Sequence, residues 1–383
     1  MKKKYVTGFL IIATILFVGI PRIMSVDTGL PYSQFWDEPK ITQGALNGLK
    51  NIFDENKYTD FLPQSSEVVY GGFIRYTCML QDAIYYQYVR LTDPLVFSLR
   101  DIKTSVNGEQ ILTVSHPRFY YWNRIYHVSF SVLAFIISFL IVRKIYGTGF
   151  GIIAVMILAS NVYYFNSSYI FVTNVPLGTM TIITIYFAVL FNYTKKYKFL
   201  LWSLAFSGIS MATKMTGAAT ILIPFISGLA NYDQLKKETQ LKTLWKAIYL
   251  GLIPLMVFIF FTPSVYLNTG HFLHWMEWLS NLYKTGGLHS TMEPGLEHLM
   301  FQFNLLVKNH GVLFSVLAGI GIVSGVLGVQ DIRGKKKELL TSNTLIVFLF
   351  PLIYILYVTL QYKISYNRNF ILFYPILTVL SVM

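Results

Sequence analysis

The chain has 383 residues, of which 54% are hydrophobic and only 13% charged, against about a quarter charged in ordinary soluble domains. Runs of about 20 apolar residues, the length a helix needs to cross a bilayer, recur from end to end, so residues 1–383 read as one all-α polytopic membrane unit rather than soluble domains. The net charge of +13 does not point to nucleic acid, because sixteen of the 31 Lys and Arg sit in five short stretches beside apolar runs instead of on one basic face.

In chain order, the first predicted element is the apolar run after Lys2-Lys3-Lys4. Pro21 and Arg22 stand where a cleaved leader would need small residues, so this run reads as an uncleaved signal-anchor. The predicted spans are 5–23, 124–142, 150–166, 170–191, 199–213, 215–230, 247–267, 311–329, 343–360 and 370–383. An inside N-terminus and strict alternation put all five basic stretches inside, as cytoplasmic loops require. The other four are Arg143-Lys144, Lys195-Lys196-Lys198, Lys236/Lys237/Lys242/Lys246 and Arg333/Lys335/Lys336/Lys337. The outer side then carries two long loops, 25–118 and 268–310, and the first holds 11 of the 18 acidic residues. All seven histidines fall outside or at outer span ends. Chemistry is therefore expected on the outer face of a cell membrane. The short spans 199–213 and 215–230 meet at Lys214-Met215, as a tight outer turn or an interrupted helix pair.

Charges at membrane depth are unfavourable and usually face a wet cavity or a ligand. Three regions qualify. Phe35-Trp36-Asp37-Glu38-Pro39 places two carboxylates just after the first span, either as a base facing a lipid-borne substrate or as a turn before a proline-started helix. Lys214 lies between two apolar runs, where it either holds a phosphate or extends to the headgroups. Arg368, in Tyr366-Asn367-Arg368-Asn369-Phe370, opens the last span from outside, facing a phosphate or lipid headgroups. His271 and His274 share a helical face but have no carboxylate partners at metal spacing. The lone Cys78 reads as a small buried residue and excludes a disulfide within the chain. No phosphate-binding Gly-rich loop or nucleophile elbow occurs, so no cofactor is implied, a divalent metal has no support, and an enzyme of this kind would draw its substrate from the membrane.

The order of these features resembles the GT-C polyprenyl-phosphate-sugar-dependent glycosyltransferases, near the protein O-mannosyltransferases and the aminoarabinose transferases, from about residue 30 to 383. Asp37-Glu38 in FWDEP is similar to the acidic pair of that family's first outer loop. Arg124 in WNRIYHVSFSVLAFIISFLIVRKIYG is similar to the Arg that opens its second span. YIFVTNVPLG resembles the start of its fourth span, and GISMATKMTGAATILIP resembles its Thr-Lys segment, with Lys214 as the Lys. TPSVYLNTGHFLHWMEWLSNLYKTGGLHS resembles an outer loop ending in a His, here His289, and NRNFILFYPIL supplies Arg368 and Pro375. Many relatives carry Asp where this chain has Asn174, and VVYGGFIRY stands where they have Pro-Pro-Leu.

The resemblance implies transfer of a sugar from a polyprenyl-phosphate donor to a lipid, glycan or protein acceptor on the outer face, with inversion. In that scheme Asp37 is the base, Glu38 orients it, Lys214, Arg368 and Arg124 bind the donor phosphate, and Asn174 and His289 contact acceptor or sugar. Two other classes stay open: a glycan polymerase or ligase, which shares large outer loops but is expected to cluster Arg there, and a lipid-glycan transporter, which often shows internal repeats absent from this sequence.

Overall fold

The computed structural model describes residues 2–28, 30, 32–33, 37–53, 71–92, 102–106, 109–113, 117–231, 243–286, 291–327, 337–363 and 367–383. The body is helical, as backbone groups in lipid require. Helix α1 (Lys2–Ile23) leads into the first outer loop, where α2 (Asp37–Phe53) and α3 (Gly72–Thr92) pack together. That loop also holds three short strands, β1 (Tyr32–Ser33), β2 (Ile102–Val106) and β3 (Glu109–Thr113). They form an antiparallel sheet in the order β1-β3-β2, with Tyr32 and Ile102 both opposite Thr113. The sheet is an addition to the all-helical expectation, confined to the loop.

Helix α4 (Pro117–Ile145) starts on a proline at its first position, where the missing N–H is no loss, and ends on Arg143 and Lys144. A bend of 75° separates α5 (Thr148–Ser160) from α6 (Val162–Ser168). Asn161 fills the bend: its side chain accepts from Tyr164 N at 2.7 Å and donates to the Asn309 carbonyl at 3.0 Å. Next come α7 (Asn174–Thr194), α8 (Tyr197–Thr213), a 3-10 helix (Met215–Ile221) and α9 (Leu222–Leu229). Helix α7 is buried on nearly every side, as befits a helix apolar all round. Its Thr179, Thr181 and Thr184 return their hydroxyls to carbonyls one turn back, which satisfies them inside an apolar body.

The second half comprises α10 (Thr243–Phe261), α11 (Ser264–Leu267), α12 (Thr269–Thr285), α13 (Leu296–His310), α14 (Val312–Leu327), α15 (Lys337–Gln361), a second 3-10 helix (Asn367–Phe373) and α16 (Tyr374–Val382). Helical residues occur within each predicted span, but 150–166, 215–230 and 247–267 are each made of two pieces. Among the described residues three single helices are long and apolar enough to cross a membrane, five with the bent pairs counted. The chain is thus a multi-pass membrane protein. At one end of the bundle Asn192 accepts from Ser227 and Asn231 and donates to Asn343, tying α7, α9 and α15.

Helix α13 was an undifferentiated part of the second outer loop by sequence. It meets α14 at 111°, buries His298, Gln302, Leu306 and His310, and exposes Leu296, Met300, Phe301 and Phe303. His298, Gln302 and His310 thus face the protein, while the exposed side mixes these apolar residues with Glu297, Asn304 and Lys308.

Candidate active site

The site forms where the first outer loop rests on α4, α7 and α8. Asp37 supplies the first residue of α2; its side chain lies outside the described residues. Glu38, next to it, is fully buried. Its carboxylate takes a two-pronged grip from Arg124 on α4, Nε to Oε1 at 2.6 Å and Nη2 to Oε2 at 2.8 Å. Arg124 Nη1 also donates to the carbonyls of Val26 and Thr28, both at 2.8 Å. Four of the five guanidinium N–H groups are thereby committed. Arg124, expected at the donor phosphate, has a carboxylate partner 86 residues away in the chain instead. Glu38, expected to orient Asp37 or a neighbouring outer-loop group, is paired with that guanidinium and anchors the start of α2.

The anchor extends further. The backbone N–H of Phe171, in the link between α6 and α7, donates to Glu38 Oε1 at 3.3 Å. Three residues on, the Asn174 side chain accepts from Lys214 Nζ at 2.8 Å. The short link Phe171–Asn174 therefore joins the group that touches the Glu38 carboxylate to the one that touches the Lys214 ammonium. Two residues singled out separately in the sequence, Asn174 and Lys214, are brought into direct contact.

Lys214 sits at the break between α8 and the first 3-10 helix, in extended backbone (φ −162°, ψ 137°). The break is the interrupted pair anticipated from the short spans. It is made possible by Gly217, where a Cβ would lie 2.2 Å from the Ser210 carbonyl oxygen. Beyond the break opens a cavity of about 600 Å³, walled by Met215 of the 3-10 helix, Met276, Leu279 and Tyr283 of α12, and Tyr354 and Tyr357 of α15. Its walls are mostly apolar and reach to within one residue of Lys214.

The backbone of Arg368 opens the second 3-10 helix. Gly178 abuts Leu372 so closely that a Cβ would lie 2.9 Å from its Cα. The second 3-10 helix therefore packs against α7, the helix that Asn174 opens. The Arg368 side chain and the whole of His289 lie outside the described residues. Of the two other outer histidines considered, His271 accepts from Trp275 Nε1 at 2.8 Å.

Sequence reasoning missed three buried polar residues beside the anchor: Asp82 on α3 and Asn123 and His127 on α4. The available signal was spacing. Asn123, Arg124 and His127 recur at helical intervals on one face of an otherwise apolar segment. Asn123 Nδ2 donates to Asp82 Oδ2 at 3.1 Å. Burial pushes the Asp82 carboxyl up to about 7, against the downward pull of the Asn123 hydrogen bond. The His127 ring meets the Phe171 ring edge-on at 5.6 Å.

With this geometry in view, the chain has the GT-C fold of ArnT. It superimposes on the crystal structure of ArnT from Cupriavidus metallidurans bound to undecaprenyl phosphate with a TM-score of 0.61 at 12% identity, covering 98% of this chain and 60% of that one. The apo state of the same enzyme gives 0.56 at 12% identity, covering 99% and 59%. The chain thus spans about 60% of the length of the ArnT chains it matches. A family model described as dolichyl-phosphate-mannose-protein mannosyltransferase matches residues 123–266, from the acid-gripping face of α4 through Asn174 and Lys214 to α11. No curated protein sequence matches the chain.

Proposed function

We propose that this protein transfers a sugar from a polyprenyl-phosphate donor to an acceptor on the outer membrane face, inverting the anomeric centre. The observation that carries the proposal is the Phe171–Asn174 link, which ties the acid-bearing start of α2 to the Lys214 ammonium, one residue from an apolar cavity. The printed ligand of the ArnT structure, undecaprenyl phosphate, and the matched mannosyltransferase model support the donor class.

In this reading the isoprenoid tail occupies the cavity beside Met215, Met276 and Tyr354, and the phosphate sits at Lys214, with Asn174 steering the ammonium and Arg368 closing from the second 3-10 helix. Phosphate leaves as a stable anion, so the departing group needs cations rather than a general acid. Asp37 accepts the acceptor's proton as its oxygen attacks the anomeric carbon. Glu38 and Arg124 contribute position: they fix the first turn of α2 to α4 and to the exit of α1. His289 is retained as an acceptor contact. The outer location follows from the basic inner loops of the sequence.

The test is release of free polyprenyl phosphate by the purified chain in nanodiscs, over a panel of polyprenyl-phosphate sugars and acceptors. Release that Asp37→Asn and Lys214→Met each abolish in folded protein supports the assignment. Release that survives both substitutions removes these residues from the chemistry.

A further inference from the structure

Asp82 belongs to an outer-loop helix, yet it is 1% exposed. Among the described residues its hydrogen bond comes from Asn123 Nδ2, which also reaches Thr42 Oγ1 of α2 at 3.4 Å. Three elements, α2, α3 and α4, therefore meet at a single side-chain amide. The point has too many acceptors: Asp82 Oδ1 and Asn123 Oδ1 are both buried without a hydrogen-bond partner, an unfavourable state for either atom. An ionised aspartate can only accept, whereas a protonated one also donates. One proton on Asp82 supplies the donor that the cluster lacks.

We infer that Asp82 is a positioning residue that works as a neutral acid: clamped with Asn123 and Thr42, its protonated carboxyl seats α2 against α4 and so sets where the Asp37–Glu38 turn stands. The inference takes its catalytic consequence from the function proposed above, while the protonation stands apart from it. The register supports it. Successive residues of α4 hold one acid each, Asn123 the Asp82 of α3 and Arg124 the Glu38 of α2. Helix α3 runs antiparallel along α4, with Phe73 against Phe130, Tyr126 Oη on Thr77 Oγ1 at 2.6 Å, and Tyr85 against Phe119 at 4.8 Å. Asp82 lies in the middle of that seam, so a charge there strains the whole joint.

The groups around Asp82 do not offset an ionised carboxylate. Its own helix offers Cys78, whose thiol is pushed up first by burial and then by Asp82, and Arg75, which lies along Gly48 of α2. Helix α4 offers Asn123, the already committed Arg124, and His127; α2 offers Thr42 as well as Glu38, held by Arg124. Helices α8 and α10 meet the start of α3 with backbone carbonyls, at Gly71 and Gly72; Lys214, at the end of α8, is held by Asn174. Burial of Asp82 pushes its carboxyl up to about 7, in keeping with a neutral acid whose proton comes off at mildly alkaline pH.

The experiment pairs infrared difference spectroscopy with donor-phosphate release, on the full chain in nanodiscs, for the parent and Asp82→Asn. The asparagine has the same shape and donates without titrating. The expected result is a protonated-carboxyl band in the parent at about pH 6, lost by about pH 9 and missing from Asp82→Asn throughout. Release by the parent falls about tenfold or more over the same interval, in kcat rather than KM, as displacement of a catalytic group predicts. Asp82→Asn keeps the alkaline release that the parent loses. Identical carboxyl bands in the two proteins at every pH overturn the inference, whatever the activity. Loss of release in folded Asp82→Asn at every pH overturns the positioning role, because the acid would then be doing chemistry itself. A parent that releases nothing defeats the proposed function, and the infrared arm alone then decides the protonation.

Discussion

Replacing Glu38 with glutamine tests the anchor at its strongest point. The carboxylate accepts Arg124 through both oxygens, at 2.6 and 2.8 Å, and takes Phe171 N–H as a third donor. Glutamine offers one acceptor oxygen, and its amide turns N–H groups toward a guanidinium that can only donate. Arg124 is 2% exposed, so the change leaves a buried cation with two carbonyls and half a partner. Removing one member of a buried ion pair destabilises by about 3–5 kcal/mol. The same loss frees Phe171 and, through it, the Asn174 contact to Lys214. A double-mutant cycle over Glu38→Gln, Arg124→Gln and the pair, read by reversible unfolding in mixed micelles, is expected to return a coupling of about 2–3 kcal/mol. Additive losses, or a Glu38→Gln cost under about 1 kcal/mol, would refute the anchor.

Four further outcomes follow from the same geometry. Asp37→Asn should abolish donor-phosphate release while leaving unfolding midpoints within about 0.5 kcal/mol of the parent, because it alters a proton acceptor rather than the Glu38 anchor. Asn174→Asp should pair the Lys214 ammonium with a full negative charge and raise donor KM about tenfold, checked by steady-state release. Gly217→Val should destabilise by about 1–3 kcal/mol and lower release, since its side chain must displace the 3-10 helix from Ser210. For pH, the folded Asp82 carboxyl at about 7 lies above the ordinary aspartate value of 3.8, so the native state binds the extra proton and stability falls as pH rises between those values. Asp82→Asn should flatten that slope in unfolding measured at several pH values.

The helical body was legible because a bilayer leaves few alternatives: long apolar runs must be helices. Lys214 was legible for a related reason, a cation between two short apolar runs having few places to go. Arg124 was singled out, but nothing local marks Glu38, 86 residues away, as its partner. Asp82 looked like one of many acids in a long outer loop, and only the packing of α3 on α4 shows that it is buried. Asn123 and His127 were hidden by the apolar residues around them. The small sheet escaped because its strands are two to five residues long. Helix α13 escaped because both its buried and its exposed sides mix polar with apolar residues, so no single stripe marks the face that packs.

Gly71 and Gly72 have a consequence for how the protein is made. A Cβ at either position would come within 2.0 Å of a carbonyl oxygen, that of Thr213 at the end of α8 and that of Phe261 at the end of α10. These glycines are translated well before the spans they rest on, since chains emerge N-terminus first. Helix α3 is therefore made ahead of its seat and completes its docking only after residue 261 has been translated. The first outer loop is in this sense a late-maturing part of the molecule despite its early position. A loop exchanged between relatives would have to bring the outer ends of α8 and α10 with it, because the fit is cut jointly by both sides.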